Sequence, residues 1–569
     1  MRPGKLKATG QPAQLAAASA APAQPPSPSA RPSPALSVPP APPQQPGTPL
    51  QRWLFPSNRG TTANKALSYT GYFAGTAVVA GTALLRQAGE PAWRTIWAED
   101  GRVFLSQALS LPFARTLVTP HAGYVQLYAR LIAGAAALFP LRDAALFLAL
   151  TGAFSLGVLS CGVFHMAKGH ISSPWLRSVL VASMVLLPVA GGELLDNAVN
   201  VPWWLFFACF WALLWQPRSS AGPVLAFSLC ALAAASEPLT ALLLPLAGAR
   251  VLAFGMRAPL EGPGSTGQGR GVRAPRCTSG QLRSYAAPAG LLGGLAFQLG
   301  TKLANGSGGG APNTFAPLSA GALARSLAMR VGLDLFAGVK GSDWLLDHHP
   351  GVAVAAGFVV IFLVAGAGAL CPVARARAFA LVAVTVALSC FLLEAWARGI
   401  ANVLATHDIG MAARYQAVPL LLLVSSLMVS AGAWAELRAR RPVSPLASEA
   451  SPQELPFPND PALHLGPLGR PRPAEARRAG RPSARKAPAP ALTAALCAAL
   501  LAPSWAIDFR DPNGRSGGPT WAAGVESAAA KCRALHVRSL AVPIDPTGWA
   551  AVVPCTDLAG LRQRSSGVF

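Results

Sequence analysis

The chain has 569 residues, 52% hydrophobic and only 12% charged, with a formal net charge of +24 and a mean hydropathy of +0.40. A soluble domain carries about 25% charged residues, so this composition excludes an ordinary soluble protein. It points to an all-α polytopic membrane protein, one large helical bundle with soluble appendages. The basic excess is gathered into a few loops and tails, as in proteins oriented by the positive-inside rule. No nucleic-acid motif accompanies it, so the expected partner is the lipid bilayer and not nucleic acid. High Ala, Gly, Pro and Arg content suggests a GC-rich bacterial genome.

Residues 1–64 are rich in Pro, Ala, Gln and Ser and hold Arg2, Lys5, Lys7, Arg31, Arg52 and Arg59 without an acid. Such a segment cannot bury a core and reads as a disordered cytoplasmic tail. The core is expected over 65–434. Its first span, about 67–86, leads out to a loop with Trp97-Ala98-Glu99-Asp100-Gly101. Residues 122–140 are apolar but carry Tyr124, Gln126, Tyr128 and Arg130. Read as a span they would put Lys168 and Arg177 outside. Read as a helix on the outer surface they keep those cations inside. The second reading is adopted, with Gln126 and Arg130 sharing the helix's polar face.

Further spans follow at about 143–166, 177–191, 202–216, 222–236, 238–254, 285–303, 351–371, 378–396 and 414–434. A basic, Pro-rich linker at 435–487 is expected to be disordered and cytoplasmic. The last span, about 488–506, leaves an extracytoplasmic tail at 507–569. The count is about eleven spans, with the N-terminus inside, the C-terminus outside and every strongly basic loop cytoplasmic. Plasma-membrane localisation follows.

Glu99 and Asp100 are the leading catalytic candidates. A carboxylate at the outer surface can act as a general base toward an acceptor hydroxyl. The pair can also hold a divalent cation that neutralises a leaving phosphate. The plainer reading is that Asp100 caps a helix beginning near Val103. His121 and Tyr124 are candidates for sugar or acceptor contact, and Arg130 for a phosphate held by paired donors. The plainer role for these is interfacial anchoring and snorkelling. The segment Glu193-Leu194-Leu195-Asp196-Asn197-Ala198-Val199-Asn200 precedes Trp203-Trp204. Asn197, Asn200 and Trp203 stand at spacings that share a helix face and suit a sugar. Glu237 is an intramembrane or rim carboxylate. Arg414, at a span's outer end, runs against the positive-inside trend and suits a lipid-linked phosphate. Asp343, Asp347, His348 and His349 read as a solvated loop cluster.

Of the nine cysteines, Cys161, Cys209, Cys230, Cys371, Cys390 and Cys497 lie in or beside apolar segments as small core residues. Cys532 and Cys555 share the outer polar tail and are expected to form a disulfide. No Walker loop, Rossmann fingerprint or zinc-binding spacing occurs.

The order of parts resembles the GT-C class of membrane glycosyltransferases. It runs from a cytoplasmic start through one span to an outer loop with the acidic pair Glu99-Asp100, then a surface helix from His121 to Pro140 and further spans. The family's Pro-rich aromatic motif is represented only by His121-Ala122-Gly123-Tyr124, and Glu237 stands where a Lys is frequent. The segment Gly410 to Tyr415 and the tail from Trp521 through Cys532 and Trp549 to Cys555 look like patterns in GT-C-like bacterial membrane proteins. The resemblance covers about residues 65–560. It implies transfer of a sugar from a polyprenyl-phosphate donor to an acceptor of the cell envelope. The alternative is a non-enzymatic transporter or flippase for a lipid-linked glycan.

Overall fold

The computed structural model describes residues 48–56, 69–255, 279–305, 319–398, 412–440 and 489–559. In chain order the helices are α1 (Pro49–Leu54), α2 (Tyr69–Arg86), α3 (Ser106–Ser110), α4 (Phe113–Val118), α5 (Leu127–Ala136), α6 (Ala144–Met166), α7 (Pro174–Leu186), α8 (Ala190–Glu193), α9 (Val201–Leu214), α10 (Ala221–Ser236) and α11 (Leu244–Gly255). They continue with α12 (Ser279–Asn305), α13 (Ala320–Ser326), α14 (Asp334–His348), α15 (Pro350–Ala369), α16 (Ala374–Arg398), α17 (Arg414–Arg440), α18 (Ala489–Ile507), α19 (Trp521–Leu535) and α20 (Cys555–Ala559). Between α19 and α20 an antiparallel hairpin pairs β1 (Ser539–Ile544) with β2 (Trp549–Pro554).

A helix occupies each expected span. Among the described residues six are long and apolar enough to cross a membrane: Leu141–Gly169, Pro238–Gly255, Pro350–Ala369, Ala374–Trp396, Arg414–Ala439 and Ala489–Ile507. The others are shorter or more polar. α9, with 14 residues, rises about 21 Å at 1.5 Å per residue, less than a hydrocarbon core of about 30 Å. It needs no lipid-matched length, because every one of its residues is buried in protein. α9 and α17 form the centre, and an outer ring surrounds them. Leu492, Leu496 and Leu500 repeat every fourth residue along the exposed face of α18, and Phe154 and Val158 lie on that of α6. Such stripes have no protein cover and suit lipid.

Caps and prolines in the sequence set the ends. The Ser173 hydroxyl accepts from the Leu176 amide, with Pro174 opening α7. At Ser236-Glu237-Pro238, α10 stops because proline disfavours a helical residue before it.

Buried arginines then tie helix ends together. Arg86, at the end of α2, donates to the carbonyls of Val185, Leu187, Asp508 and Phe509. Carbonyls at helix C-termini lack intrahelical partners, and the guanidinium supplies them. One end of the bundle, termed the site face, thus gathers the C-termini of α2, α7 and α18 and the N-termini of α9 and α17.

The chain between residues 87 and 140 leaves and rejoins this face. The tail that meets Arg86 also meets the start of α6, where Trp521 Nε1 donates to the Leu141 carbonyl at 2.7 Å. Arg142 lies 3.3 Å from Glu526. The longest helix in the interval, α5, has 10 residues and rises about 15 Å, too short to cross. Its expected orientation is inverted, however. Gln126 and Arg130 are buried against the protein, whereas Leu127, Leu131 and Ile132 on α5 are partly exposed.

The opposite face collects Ser172 and Arg375, whose side chains both bond the Glu436 carboxylate. There a piece of the expected tail is ordered: α1 is capped by Thr48, and Leu54 and Phe55 are buried. Other corrections are local. α17 runs to Arg440, into the expected linker. The expected loop 304–350 holds α13, a π-helical stretch (Leu327–Leu333) and α14. Within it Asp343 pairs with buried Arg330 at 2.6 Å rather than joining a solvated cluster. The tail after α18 is not wholly helical, since it holds the hairpin. Most of the tail 1–64 and the linker 435–487 lies outside the described residues.

Candidate functional site

The site lies where the N-termini of α9 and α17 meet. Each carries the positive end of a helix dipole. The turn before α9 supplies Glu193, whose Oε1 accepts from the Arg414 backbone amide at 2.9 Å. Its Oε2 lies 3.7 Å from Arg414 Nη1. The same guanidinium nitrogen lies 3.7 Å from Glu99 Oε1. One cation therefore sits between two carboxylates from separate loops. Burial pushes Glu193 up to about 7, against the pull of the Arg414 guanidinium and amide.

Glu99, His121, Ala122, Tyr124, Gln126, Val199, Asn200, Pro202, Trp203, Glu237, Arg414 and Tyr415 line a cavity of about 40 Å³. A water needs about 10–15 Å³ of such space, so the cavity holds a few waters and is closed to a sugar. Trp203 and Tyr415 meet edge to face, with centroids 5.5 Å apart. His121 and Tyr124 pair across a tight turn through Ala122 and Gly123, both at positive φ. Burial holds the His121 imidazole below its usual range. Gln126 Nε2 donates to the Tyr124 hydroxyl at 3.1 Å.

The acidic pair divides. Glu99 faces the cavity. Asp100 is buried, does not line it, and accepts from the Ala198 amide at 2.9 Å through Oδ2. Asp100 therefore does cap a segment, but the capped turn is the one before α9 rather than its own helix. Burial pushes its carboxyl up to about 7, opposed by that amide and by Arg515. The two carboxylates have different partners, Arg414 for Glu99 and the Ala198 amide for Asp100. No group of three or more His, Cys, Asp or Glu side chains among the described residues is arranged to hold a metal.

Arg130 stands one layer behind the cavity. Its Nη1 donates to Gln107 Oε1 at 2.7 Å, and its guanidinium lies over Phe104, whose ring meets His121. Asn197 and Asn200 do not share a helix face. Asn197 folds into the turn, with Nδ2 donating to the Glu193 and Leu195 carbonyls and Oδ1 accepting from the Asn200 amide. Asn200 occupies the N-cap position of α9 and lines the cavity, with Nδ2 on the Glu193 carbonyl. Of the sequence candidates, Glu99, His121, Tyr124, Asn200, Trp203 and Arg414 come together, while Asp100, Arg130 and Asn197 stand around them. Glu237 also reaches the cavity.

Glu193 opens the polar segment before α9, but nothing local in the sequence marks it as Arg414's partner. Arg515, a single arginine in a polar tail, carries no local signal at all. Cys532 and Cys555 form a disulfide with Cα atoms 5.7 Å apart, closing the tail module of α19, the hairpin and α20. Comparison of the chain with family models, curated proteins and solved structures finds no match.

Proposed function

We propose that the chain is a GT-C-like membrane glycosyltransferase that moves a sugar from a polyprenyl-phosphate donor to an acceptor of the cell envelope. The observation that supports this reading best is the Arg414 guanidinium 3.7 Å from Glu99 at the wall of one cavity. A donor phosphate binds the cation and displaces Glu99 from it. The released carboxylate is then a base for the acceptor hydroxyl. Both groups meet where the sugar carbon must lie, with Trp203, Asn200, His121 and Tyr124 around it. The cavity is closed to a sugar, so entry requires its wall to move. Lys168, Arg177, Arg375 and Arg283 belong to the opposite end of the bundle, and the positive-inside trend supports reading the site face as extracytoplasmic.

The test offers purified protein a panel of radiolabelled polyprenyl-phosphate sugars, scoring transfer and hydrolysis. Turnover of at least one donor is expected. If no donor turns over while a lipid-linked glycan crosses liposomes containing the protein, the chain is a transporter and the reading fails.

A further inference from the structure

Arg515 belongs to the tail beyond α18, yet it is buried beneath the candidate site. Its donors divide between two loops. Toward the loop that carries Glu99, Nε donates to Thr95 Oγ1 at 3.3 Å, and Nη2 to the carbonyls of Ala92 at 3.1 Å and Thr95 at 3.5 Å. Toward the loop that carries Glu193 and Asn200, Nη1 donates to the carbonyls of Leu195 and Asp196, each at 3.3 Å. The Ala92 carbonyl also accepts from the Thr95 amide and the Leu195 carbonyl from Asn197 Nδ2, so Arg515 adds donors to connections whose carbonyls lie outside any long helix or sheet ladder. A planar guanidinium presents donors in a fixed fork and can hold both loops at a set separation.

The rest of the tail braces the same strip of chain. Asp545 pairs with it in both directions, its amide donating to the Ile96 carbonyl at 3.0 Å and its carbonyl accepting from the Ala98 amide at 2.5 Å. Farther along, the Val552 amide donates to Ser106 Oγ at 2.8 Å. Arg102 lies 4.7 Å over the Trp549 ring.

We infer that Arg515 is a positioning residue: from the tail it fixes the Glu99 loop against the Glu193–Asn200 loop and so sets the Glu99–Arg414–Glu193 geometry. Its effect on rate rests on the function proposed above, whereas its effect on the loops does not.

The test uses the full chain in nanodiscs with Arg515→Met, Arg515→Lys and the milder Thr95→Val. Arg250→Met is the control. Arg250 is equally buried and bonds the carbonyls of Leu213, Trp215 and Ser284, away from the site. Hydrogen exchange is followed in peptides covering 92–106 and 190–202. Loss of Arg515 should raise exchange in both loops by roughly tenfold or more, the scale of a lost buried charged hydrogen bond. Thr95→Val should give a smaller rise, and Arg515→Lys should restore part of the protection. In the transfer assay kcat should fall by about a hundredfold with KM little changed. Unchanged exchange in both loops for Arg515→Met, or an equal rise there in Arg250→Met, overturns the inference. Should the wild type transfer no sugar, the proposed function fails while the exchange result still decides the role of Arg515.

Discussion

Glu193 contacts Arg414 twice, through the backbone amide that opens α17 at 2.9 Å and through the guanidinium at 3.7 Å. The carboxylate thus both caps a central helix and compensates the cation at the candidate site. Glu193→Gln keeps an acceptor for the amide but loses the charge. Glu193→Ala loses both and leaves Arg414 with less compensation. The alanine variant should be less stable than the glutamine variant by about 1–2 kcal/mol, read as the difference in thermal unfolding. Equal loss in both would mean that the cap contributes nothing.

Folding raises the carboxyls of Asp100, Glu193 and Asp196 to about 7, from 3.8, 4.5 and 3.8. The folded state therefore binds more protons than the unfolded state between about pH 4 and 7. Stability from these groups is fully present below the unfolded values and is lost as pH rises through about 7. Thermal unfolding in nanodiscs should occur at a higher temperature at pH 5.5 than at pH 8. Asp196→Asn should flatten the slope. A stability that climbs over this range would contradict the assignment.

Gly152 on α6 lies against the Asn197 backbone. A Cβ there would stand 2.6 Å from the Asn197 nitrogen and 2.8 Å from its oxygen. Backbone cannot rotate away as a side chain can, so Gly152→Ala should cost about 1–3 kcal/mol and displace the turn that presents Asn200. Gly248 meets nothing within 4 Å, and Gly248→Ala should be neutral or slightly stabilising. Thermal unfolding of the two variants separates these outcomes.

The helices were legible because apolar runs broken by Pro and charge are a strong local signal. That residues 122–140 hold only a short helix was legible from the charge of distant loops. Its orientation was not, since Gln126 and Arg130 face inward toward partners brought by other segments. The hairpin left a readable trace, with Val542, Ile544, Ala551 and Val553 alternating around Pro546-Thr547-Gly548. The split of Glu99 from Asp100 could not be read. Adjacent residues point differently according to the backbone, and here Ala98 sits at positive φ with Asp100 opening a π-helical stretch (Asp100–Leu105). Arg515 depends on contacts across more than 300 residues of chain, which no local pattern encodes.

The Cys532–Cys555 disulfide closes a 23-residue separation in the tail. A loop of that size stabilises by about 3 kcal/mol on chain-entropy grounds. Reduction, or Ser at both positions, should lower thermal stability and expose Lys531, Arg533 and Arg538 to trypsin more readily. Identical digestion with and without reductant would show that packing alone holds the tail.

The most direct test of the site compares Glu99→Gln with Asp100→Asn in the radiolabelled-donor assay. The amide at 99 keeps the size of the side chain and removes its proton acceptance, so transfer should fall about a hundred- to ten-thousand-fold. Asparagine at 100 keeps an acceptor for the Ala198 amide, so that variant should keep most of the wild-type rate. Full activity in Glu99→Gln, or an equal collapse in both variants, would contradict the assignment of Glu99 as the base.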